Sequence, residues 1–297
     1  MNPAIRAYLR DLGPELAPQM IQSTQQFFAA RFVGINPDTA IARDHQYGPD
    51  ARHRLDVFTS ASARSSVAGS PLRPVLVFVH GGGFVMGDKR VPDMPFYDNV
   101  GHFAVGSGYV GVTMTYRLAP AHPWPAGSED VAAALRWLKA NITAYGGDPQ
   151  RIFLLGQSAG ATHVAGYVAH ARCHLPEGVA IAGALLLSGI YDIAQAEPNA
   201  FQQAYYGEAR ANWSQCSTLE GLLATKLPLL FTVSEFDGAD FQRQAALLVS
   251  GFARTQARFP TLHWLAGHNH LSPVLGLGTP ADSLGALLQS FIATVAV

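Results

Sequence analysis

The sequence predicts an α/β fold, in which a mostly parallel central sheet carries helices on both faces. Short apolar runs alternate with longer stretches of helical periodicity, which is typical of a sheet built from strand-helix-strand units. The 297 residues are 48% hydrophobic, so the chain can bury a large core. Length alone would allow two domains, but α/β chains of this size commonly form one. We therefore predict a single domain over residues 1–297.

Seven short apolar runs are predicted to form the sheet, and no internal repeat is visible among them. They are residues 54–59, 75–80, 109–116, 152–156, 182–188, 228–234 and 261–265. The segment 60–74, rich in Ser, Ala, Gly and Pro, is predicted to be an exposed connection.

A long helix is predicted between the third and fourth of these strands. Ser128 is expected to cap its N-terminus, with Glu129 and Asp130 in its first turn. One apolar stripe runs along the helix, formed by Val131, Leu135, Leu138 and Ile142.

The N-terminal residues 1–35 differ from the rest of the chain. Pro14 and Pro18 interrupt helical pieces, and an aromatic stretch follows them. We predict that this segment forms an N-terminal helical cap rather than part of the sheet, and that part of 192–225 is a second candidate cap segment.

Composition excludes several partner classes. The formal net charge is -1 and no block of lysine or arginine is present, which argues against nucleic acid. Cys173 and Cys216 are too few for a disulfide framework and favour a reduced, intracellular setting. Charges interrupt every apolar run near the N-terminus, so neither a leader peptide nor a membrane span is expected there. We expect a cytoplasmic protein without a membrane partner, and a homodimer is compatible with this composition.

A G-x-S-x-G pattern, formed by Gly156, Ser158 and Gly160, follows a predicted strand directly and opens a predicted helix. A serine on such a tight turn needs small neighbours because adjacent backbone passes close by. Its hydroxyl is then exposed above a helix N-terminus, as a nucleophile requires. The alternative interpretation of the bare pattern is an ordinary turn.

Three glycines at positions 81–83 follow another predicted strand. If Ser158 attacks an acyl carbon, a negative oxygen forms that needs backbone N–H donors. Amides at Gly81 and Gly82, together with that of Ala159, can supply them. A plain chain reversal or a phosphate loop are the alternatives, but no complete phosphate-loop or dinucleotide-binding pattern is present.

Four stretches occur in this order: "HGGGF" at 80–84, "YRLAPAHPWPAGSEDV" at 116–131, "GGDPQRIFLLGQSAGA" at 146–161 and "GHNH" at 267–270. Together they resemble the hormone-sensitive-lipase-like group of microbial carboxylesterases, which have the α/β-hydrolase fold. That group usually reads G-D-S-A-G-G at the nucleophile. Here Gln157 and Ala161 depart from it, towards type-B carboxylesterases and some aryl-formamidase-like hydrolases.

The resemblance implies a catalytic histidine late in the chain. His263 lies inside a predicted strand and is interpreted as a packed residue, whereas His268 and His270 are predicted on the loop that follows. The resemblance selects His270, with His268 as the alternative.

The acid is expected directly after the predicted strand 228–234. Glu235, Asp237 and Asp240 are the candidates there. The resemblance places the acid at Asp237, and Asp240 is predicted to cap the next helix. Asp192 is interpreted as a loop-fixing carboxylate.

These predictions combine into a serine hydrolase that cleaves carboxylic esters of short to medium acyl chains. The small-molecule ester is the expected partner; no cofactor is expected, and no metal, because no metal-ligand spacing occurs among the histidines. An aryl-formamidase-like amidohydrolase and a non-catalytic binding protein are the alternatives. Four aromatic residues are predicted to bind substrate, with ordinary burial as the alternative: Phe28, Phe84, Tyr205 and Tyr206.

Overall fold

The computed structural model describes residues 1–61 and 71–295. Their central feature is an eight-stranded sheet with the strand order β1-β2-β4-β3-β5-β6-β7-β8. The strands are β1 Thr39–Gln46, β2 Arg54–Ser60, β3 Arg73–Val79, β4 Val110–Met114, β5 Gly147–Gln157, β6 Gly183–Leu187, β7 Leu229–Phe236 and β8 Leu262–Asn269. β1 and β2 are antiparallel to their neighbours, and the six remaining strands are parallel, which confirms the mostly parallel sheet.

The α-helices connect and cover these strands. They are α1 Pro3–Asp11, α2 Pro18–Ala29, α3 Asp98–Gly106, α4 Ala126–Asn141, α5 Ala159–Ala169, α6 Ala200–Tyr206, α7 Leu219–Ala224, α8 Ala239–Gln256, α9 Ser272–Leu275 and α10 Gly285–Val295. Among the helices of the described residues, none is both long enough and apolar enough to cross a membrane.

The alternation of side chains along β3 explains why helices lie on both faces. Val75, Val77 and Val79 point into one core, whereas Leu76 and Phe78 point into the other. The first core is shared with α4, α5 and α8, and the second with α3 and α10. A strand segment buried on both faces must be apolar at every position, as residues 75–79 of β3 are.

All seven predicted strands are present, but β1 was missed. It lies at the edge of the sheet, where its side chains are only half-buried or exposed. A bulge between Ala42 and His45 breaks its alternation, and Asp44 there has a φ of 57°. Of the predicted connection 60–74, Ser60 belongs to β2 and residues 73 and 74 belong to β3, while 62–70 lie outside the described residues.

The predicted N-cap of the long helix is wrong by three residues, since Pro125 and not Ser128 holds that position. α4 begins at Ala126, and the Ser128 hydroxyl donates to the carbonyl of His163 instead of capping the helix. Asp130 is buried and accepts hydrogen bonds from the backbone and side chain of Arg117. It therefore fixes the segment after β4 rather than the helix terminus.

The N-terminal helices pack beside the last strands, outside the sheet. α1 contacts β8 and α2 contacts α9. Pro18 is the first residue of α2, where its missing N–H costs nothing, and Pro14 lies between the two helices. The segment thus lies next to the carboxyl end of β8, where His270 follows.

Candidate active site

Ser158 lies between the end of β5 and the start of α5, on a strained turn. Its φ of 57° and ψ of -121° fall in a region that side chains with a Cβ rarely adopt. Such strain costs on the order of 1 to 3 kcal/mol and persists where the surrounding structure enforces it. Here the backbone N–H of Ser158 donates to the carbonyl of Leu187 at 2.8 Å, which ties the turn to β6.

The two glycines of the pattern are required by close contacts of the backbone. A Cβ at Gly160 would lie 2.1 Å from the carbonyl oxygen of Val79, and one at Gly156 would lie 2.6 Å from the Cα of Ala161. No side chain fits at either position. The G-x-S-x-G spacing therefore follows from the packing of β5, α5 and β3.

The glycine loop after β3 lies directly beside Ser158. A Cβ at Gly81 would be 3.1 Å from the Cβ of Ser158. Gly82 and Gly83 have φ angles of 130° and 57°, which glycine adopts without strain. Ala159 is the first residue of α5, so its N–H has no acceptor within that helix. The structure thus brings together the residues predicted to bind the oxyanion.

His80 packs against the glycine loop and supports it. Its ring stacks on Tyr116 at 4.3 Å, and its Nδ1 lies 2.6 Å from the carbonyl oxygen of Gly81. The Tyr116 hydroxyl donates to the carbonyl of His80 at 2.8 Å. Burial lowers the pKa of His80 to about 4, so the ring is neutral and serves to hold the loop.

Asp237 and His270 form a fully buried pair at the ends of β7 and β8. The His270 Nδ1 lies 2.6 Å from the Asp237 Oδ1, and both side chains are at most 1% exposed. The other carboxylate oxygen accepts from the Ser188 hydroxyl and from the Ser234 N–H, each at 2.6 Å. The His270 Nε2 is buried and has no hydrogen-bond partner among the described residues. Nδ1–H therefore faces the carboxylate, and Nε2 is available to accept a proton.

His268, the alternative base, faces other partners. It lies within β8 and not on the loop after it, which corrects the sequence-based prediction. Its ring nitrogens contact the hydroxyls of Ser272 and Ser283, and burial lowers its pKa to about 4. His263, also in β8, is half-buried and lies opposite Thr232 of β7.

The alternative acids are occupied elsewhere. Glu235 accepts from Arg6 of α1 and from the Gly267 N–H. Asp192 accepts from the Ser217 hydroxyl, as expected for a residue that fixes a loop. The prediction that Asp240 caps the helix is wrong. α8 follows Gly238, and the Asp240 carboxylate instead accepts from the Glu197 N–H and pairs with Arg243.

The four predicted substrate-binding aromatics lie in two separate clusters. Phe84, with a φ of 71°, stacks on Tyr205 at 4.6 Å and contacts Tyr206 edge-on, and this group packs against Ala159. Phe28 is fully buried in the N-terminal cluster, with Leu9 of α1. Phe84, Tyr205 and Tyr206 thus adjoin the nucleophile turn, whereas Phe28 supports the N-terminal helices.

Several residues near the site were missed by the sequence reasoning. Ser188 holds Asp237, and the Phe241 ring lies 4.3 Å from the ring of His270. Phe201 is 45% exposed and packs where a Cβ of Gly83 would lie. None belongs to a motif, and only proximity in the fold reveals them. The described residues include no group of three or more His, Cys, Asp or Glu that could hold a metal ion.

Comparison with known proteins agrees with this geometry. A family model of the alpha/beta hydrolase fold matches residues 76–237. Carboxylesterase NlhH of Mycobacterium tuberculosis is 47% identical over 88 residues, which are 29% of this chain and 26% of that protein. Esterase LipQ of the same species is 34% identical over 162 residues, 52% of this chain and 36% of that protein. Phenmedipham hydrolase of Pseudarthrobacter oxydans is 40% identical over 104 residues, 33% of this chain and 20% of that protein. The matched segments thus span about a fifth to a third of the length of these relatives.

Solved esterase structures share the fold over nearly the whole chain. Esterase B from Lactobacillus rhamnosis has a TM-score of 0.74 at 18% identity and covers 99% of this chain and 96% of its own. The hyperthermophilic esterase from Pyrobaculum calidifontis has a TM-score of 0.71 at 19% identity and covers 100% and 99%. At these identities the likeness concerns the fold alone.

Proposed function

The chain belongs to the α/β-hydrolase-fold family, and on that premise we propose that it is a serine hydrolase of carboxylic esters. The observation that carries the proposal is the buried Asp237–His270 pair, whose Nε2 has no partner among the described residues and can accept the proton of the Ser158 hydroxyl. The similarity to carboxylesterases supports the same chemistry, and the range 76–237 that the family model matches includes both the glycine loop and Ser158.

The proposed reaction begins when the Ser158 Oγ attacks the ester carbonyl. The His270 Nε2 takes the hydroxyl proton, and the Asp237 carboxylate stabilises the imidazolium through Nδ1–H. The carbonyl oxygen becomes negative and accepts from the amides of Gly81, Gly82 and Ala159. One such donor is worth roughly 10²- to 10³-fold in rate.

Collapse of this intermediate expels the alcohol, which receives the proton from His270, and leaves an acyl group on Ser158. Water then attacks the acyl carbon with His270 again as base, and the carboxylic acid leaves. The Phe84–Tyr205–Tyr206 cluster packs against Ala159, and in this proposal it would limit the room beside the acyl carbon and favour short to medium acyl chains. Phe84 and Tyr206 are the proposed substrate contacts on this side.

We propose that residues 1–35 and part of 192–225 form the cap over this site. Asn269, the neighbour of His270, donates from Nδ2 to the Thr24 hydroxyl of α2 at 2.9 Å. Phe201 of α6 adds an exposed aromatic side chain against Gly83. One segment thus contacts the neighbour of the proposed base, and the other contacts the neighbour of the proposed oxyanion glycines.

The test is hydrolysis of p-nitrophenyl esters of increasing chain length by the purified protein, with N-formylkynurenine as the substrate of the amidohydrolase alternative. Ser158→Ala should lower kcat by roughly 10³-fold or more because it removes the nucleophile. Ser250→Ala, at an exposed serine of α8, is the matched control and should keep wild-type activity. A fluorophosphonate should add its mass to the peptide that carries Ser158. Turnover by Ser158→Ala within tenfold of wild type would exclude the proposed mechanism, and absence of turnover with every substrate would favour the non-catalytic alternative.

A further inference from the structure

Gln157 directly precedes Ser158 in the chain and has no role in the reaction described above. It is the last residue of β5 and immediately precedes Ser158, and its side chain is 3% exposed. Its amide Nε2 donates to the backbone carbonyl of His270 at 3.0 Å. Its Oε1 lies against the glycine loop, because a Cβ at Gly81 would be only 2.5 Å away. This one side chain therefore contacts the loop of the base and the glycine loop while its backbone carries the nucleophile.

The hydrogen bond to His270 has a geometric consequence. His270 follows β8 by one residue, so the strand ladder does not hold it. Asp237 fixes its ring at Nδ1, and Gln157 fixes its backbone at the carbonyl. With both ends held, the direction of Nε2 relative to Ser158 is set, and proton transfer requires that direction to be accurate.

The Gln157 contacts depend on the amide group as well as on the length of the side chain. A carboxylate at this position could not donate to the His270 carbonyl and would repel it. It would also place a negative charge beside the site where the oxyanion forms. The resembled esterase group usually has Asp here, so the amide is a property of this chain rather than of the motif.

We propose that Gln157 is a positioning residue that aligns His270 with Ser158 through its hydrogen bond to the His270 carbonyl. The inference rests on the proposed esterase function. It concerns alignment, so it predicts a loss in kcat and in phosphonylation rate, with KM nearly constant.

The experiment compares Q157L, Q157N and Q157E with wild type. Leu fills the space without a hydrogen bond, Asn keeps a neutral amide that is one methylene too short, and Glu keeps the length but loses the donor. Q244E is the matched control, because Gln244 is also fully buried and, among the described residues, its amide bonds only to the backbone of Tyr191 and Asp192. For Q157L and Q157N we expect kcat and the rate of fluorophosphonate labelling to fall together, roughly 10- to 100-fold, with KM within about threefold.

Q157E should lose more than Q157L, and the acid limb of its kcat/KM profile should move to higher pH. The reason is that a second carboxylate favours the protonated imidazole, so the base becomes free only at higher pH. The His270 imidazole already faces the Asp237 carboxylate, and the Tyr191 phenol lies near that carboxylate. Phe241 packs against the His270 ring and carries no charge. Neither Q157L nor Q244E should shift the limb.

The outcomes separate the two proposals. If Ser158→Ala is inactive while Q157L and Q157N keep kcat within threefold, the role of Gln157 is wrong and the esterase proposal stands. If Q157L unfolds, Q157N carries the same expectation with its folding checked by circular dichroism. If Ser158→Ala is as active as wild type, the esterase proposal fails and the inference about Gln157 fails with it.

Discussion

The half of the site that carries Ser158 lies on β3 and β5, in the middle of the sheet. The half that carries Asp237 and His270 lies on β7 and β8, at one edge. In the first half, positions are set by backbone contacts so close that only glycine fits, as at Gly160. In the second half, positions are set by side-chain hydrogen bonds from distant parts of the chain.

Those distant partners are identifiable. Ser188 after β6 holds Asp237, Thr24 of α2 holds Asn269, and Arg6 of α1 binds Glu235 at the end of β7. The difference shows that the position of the proposed nucleophile is encoded within one short segment, whereas the position of the proposed base depends on at least three separate segments. The two halves should therefore respond differently to substitution.

The largest effect is expected on the base side. His270→Asn should lower kcat on an ester by roughly 10³-fold or more, since it removes one member of a cooperating unit. His268→Asn is the matched variant two residues away and should cost far less, because His268 bonds to Ser272 and Ser283 and not to Asp237. Steady-state kinetics of both variants on one ester decide the assignment. An inactive His268 variant beside an active His270 variant would reverse it.

The nucleophile side should instead fail through its backbone. Gly160→Ala places a methyl group 2.1 Å from the Val79 carbonyl oxygen, so β3 and α5 must separate. Overpacking of this kind typically costs about 1 to 3 kcal/mol, and the free energy of unfolding from urea titration should fall by that amount. Gly106→Ala is the control, because a Cβ there meets its nearest neighbour at 3.8 Å. Equal stability of the two variants would contradict the packing argument.

A smaller effect is expected where α2 holds the base loop. Thr24→Val leaves the Asn269 Nδ2 buried without its oxygen acceptor, which typically costs about 1 to 3 kcal/mol of unfolding free energy. Because Asn269 precedes His270, kcat should also fall severalfold. Thr113→Val is the matched control, since the buried hydroxyl of Thr113 has no partner among the described residues. If both variants lose equal activity, the N-terminal helices do not position the base.

The smallest effect is on stability against pH. Burial lowers the pKa of His163, on the nucleophile side, to about 3 and that of His268, on the base side, to about 4. An unfolded histidine has a pKa near 6.5, so the unfolded state binds more protons between about pH 6.5 and 4. Stability is therefore complete above that range and falls as pH falls through it, by on the order of 1 to 2 kcal/mol per histidine at pH 5.

His163→Leu and His268→Leu should each reduce the loss of unfolding free energy at low pH by the contribution of one histidine. Urea titrations at pH 7 and pH 5 measure the change. If both variants lose as much unfolding free energy between pH 7 and pH 5 as the wild type, other groups cause the loss of stability at low pH.

The same contrast explains what the sequence could predict. The strands of the parallel sheet and the nucleophile turn were predictable because periodicity and glycine spacing are local signals. β1 was missed because an edge strand with Arg43 and Asp44 in its middle is not apolar. Ser128 and Asp240 were assigned as helix caps from local rules, but both side chains form hydrogen bonds with residues distant in the sequence. Ser188 and Thr24 carry no local signal, since their importance arises only from contacts across the fold.

The φ of 57° at Ser158 also means that the folded protein holds a strained backbone at this residue, which the proposed nucleophile role would explain. Glycine adopts that geometry freely, so Ser158→Gly should raise the melting temperature while abolishing turnover, whereas Ser158→Ala keeps the strain. We therefore expect the wild-type chain to be less stable than the Ser158→Gly variant. For capturing an intact ester in a crystal, the glycine variant is accordingly the better choice.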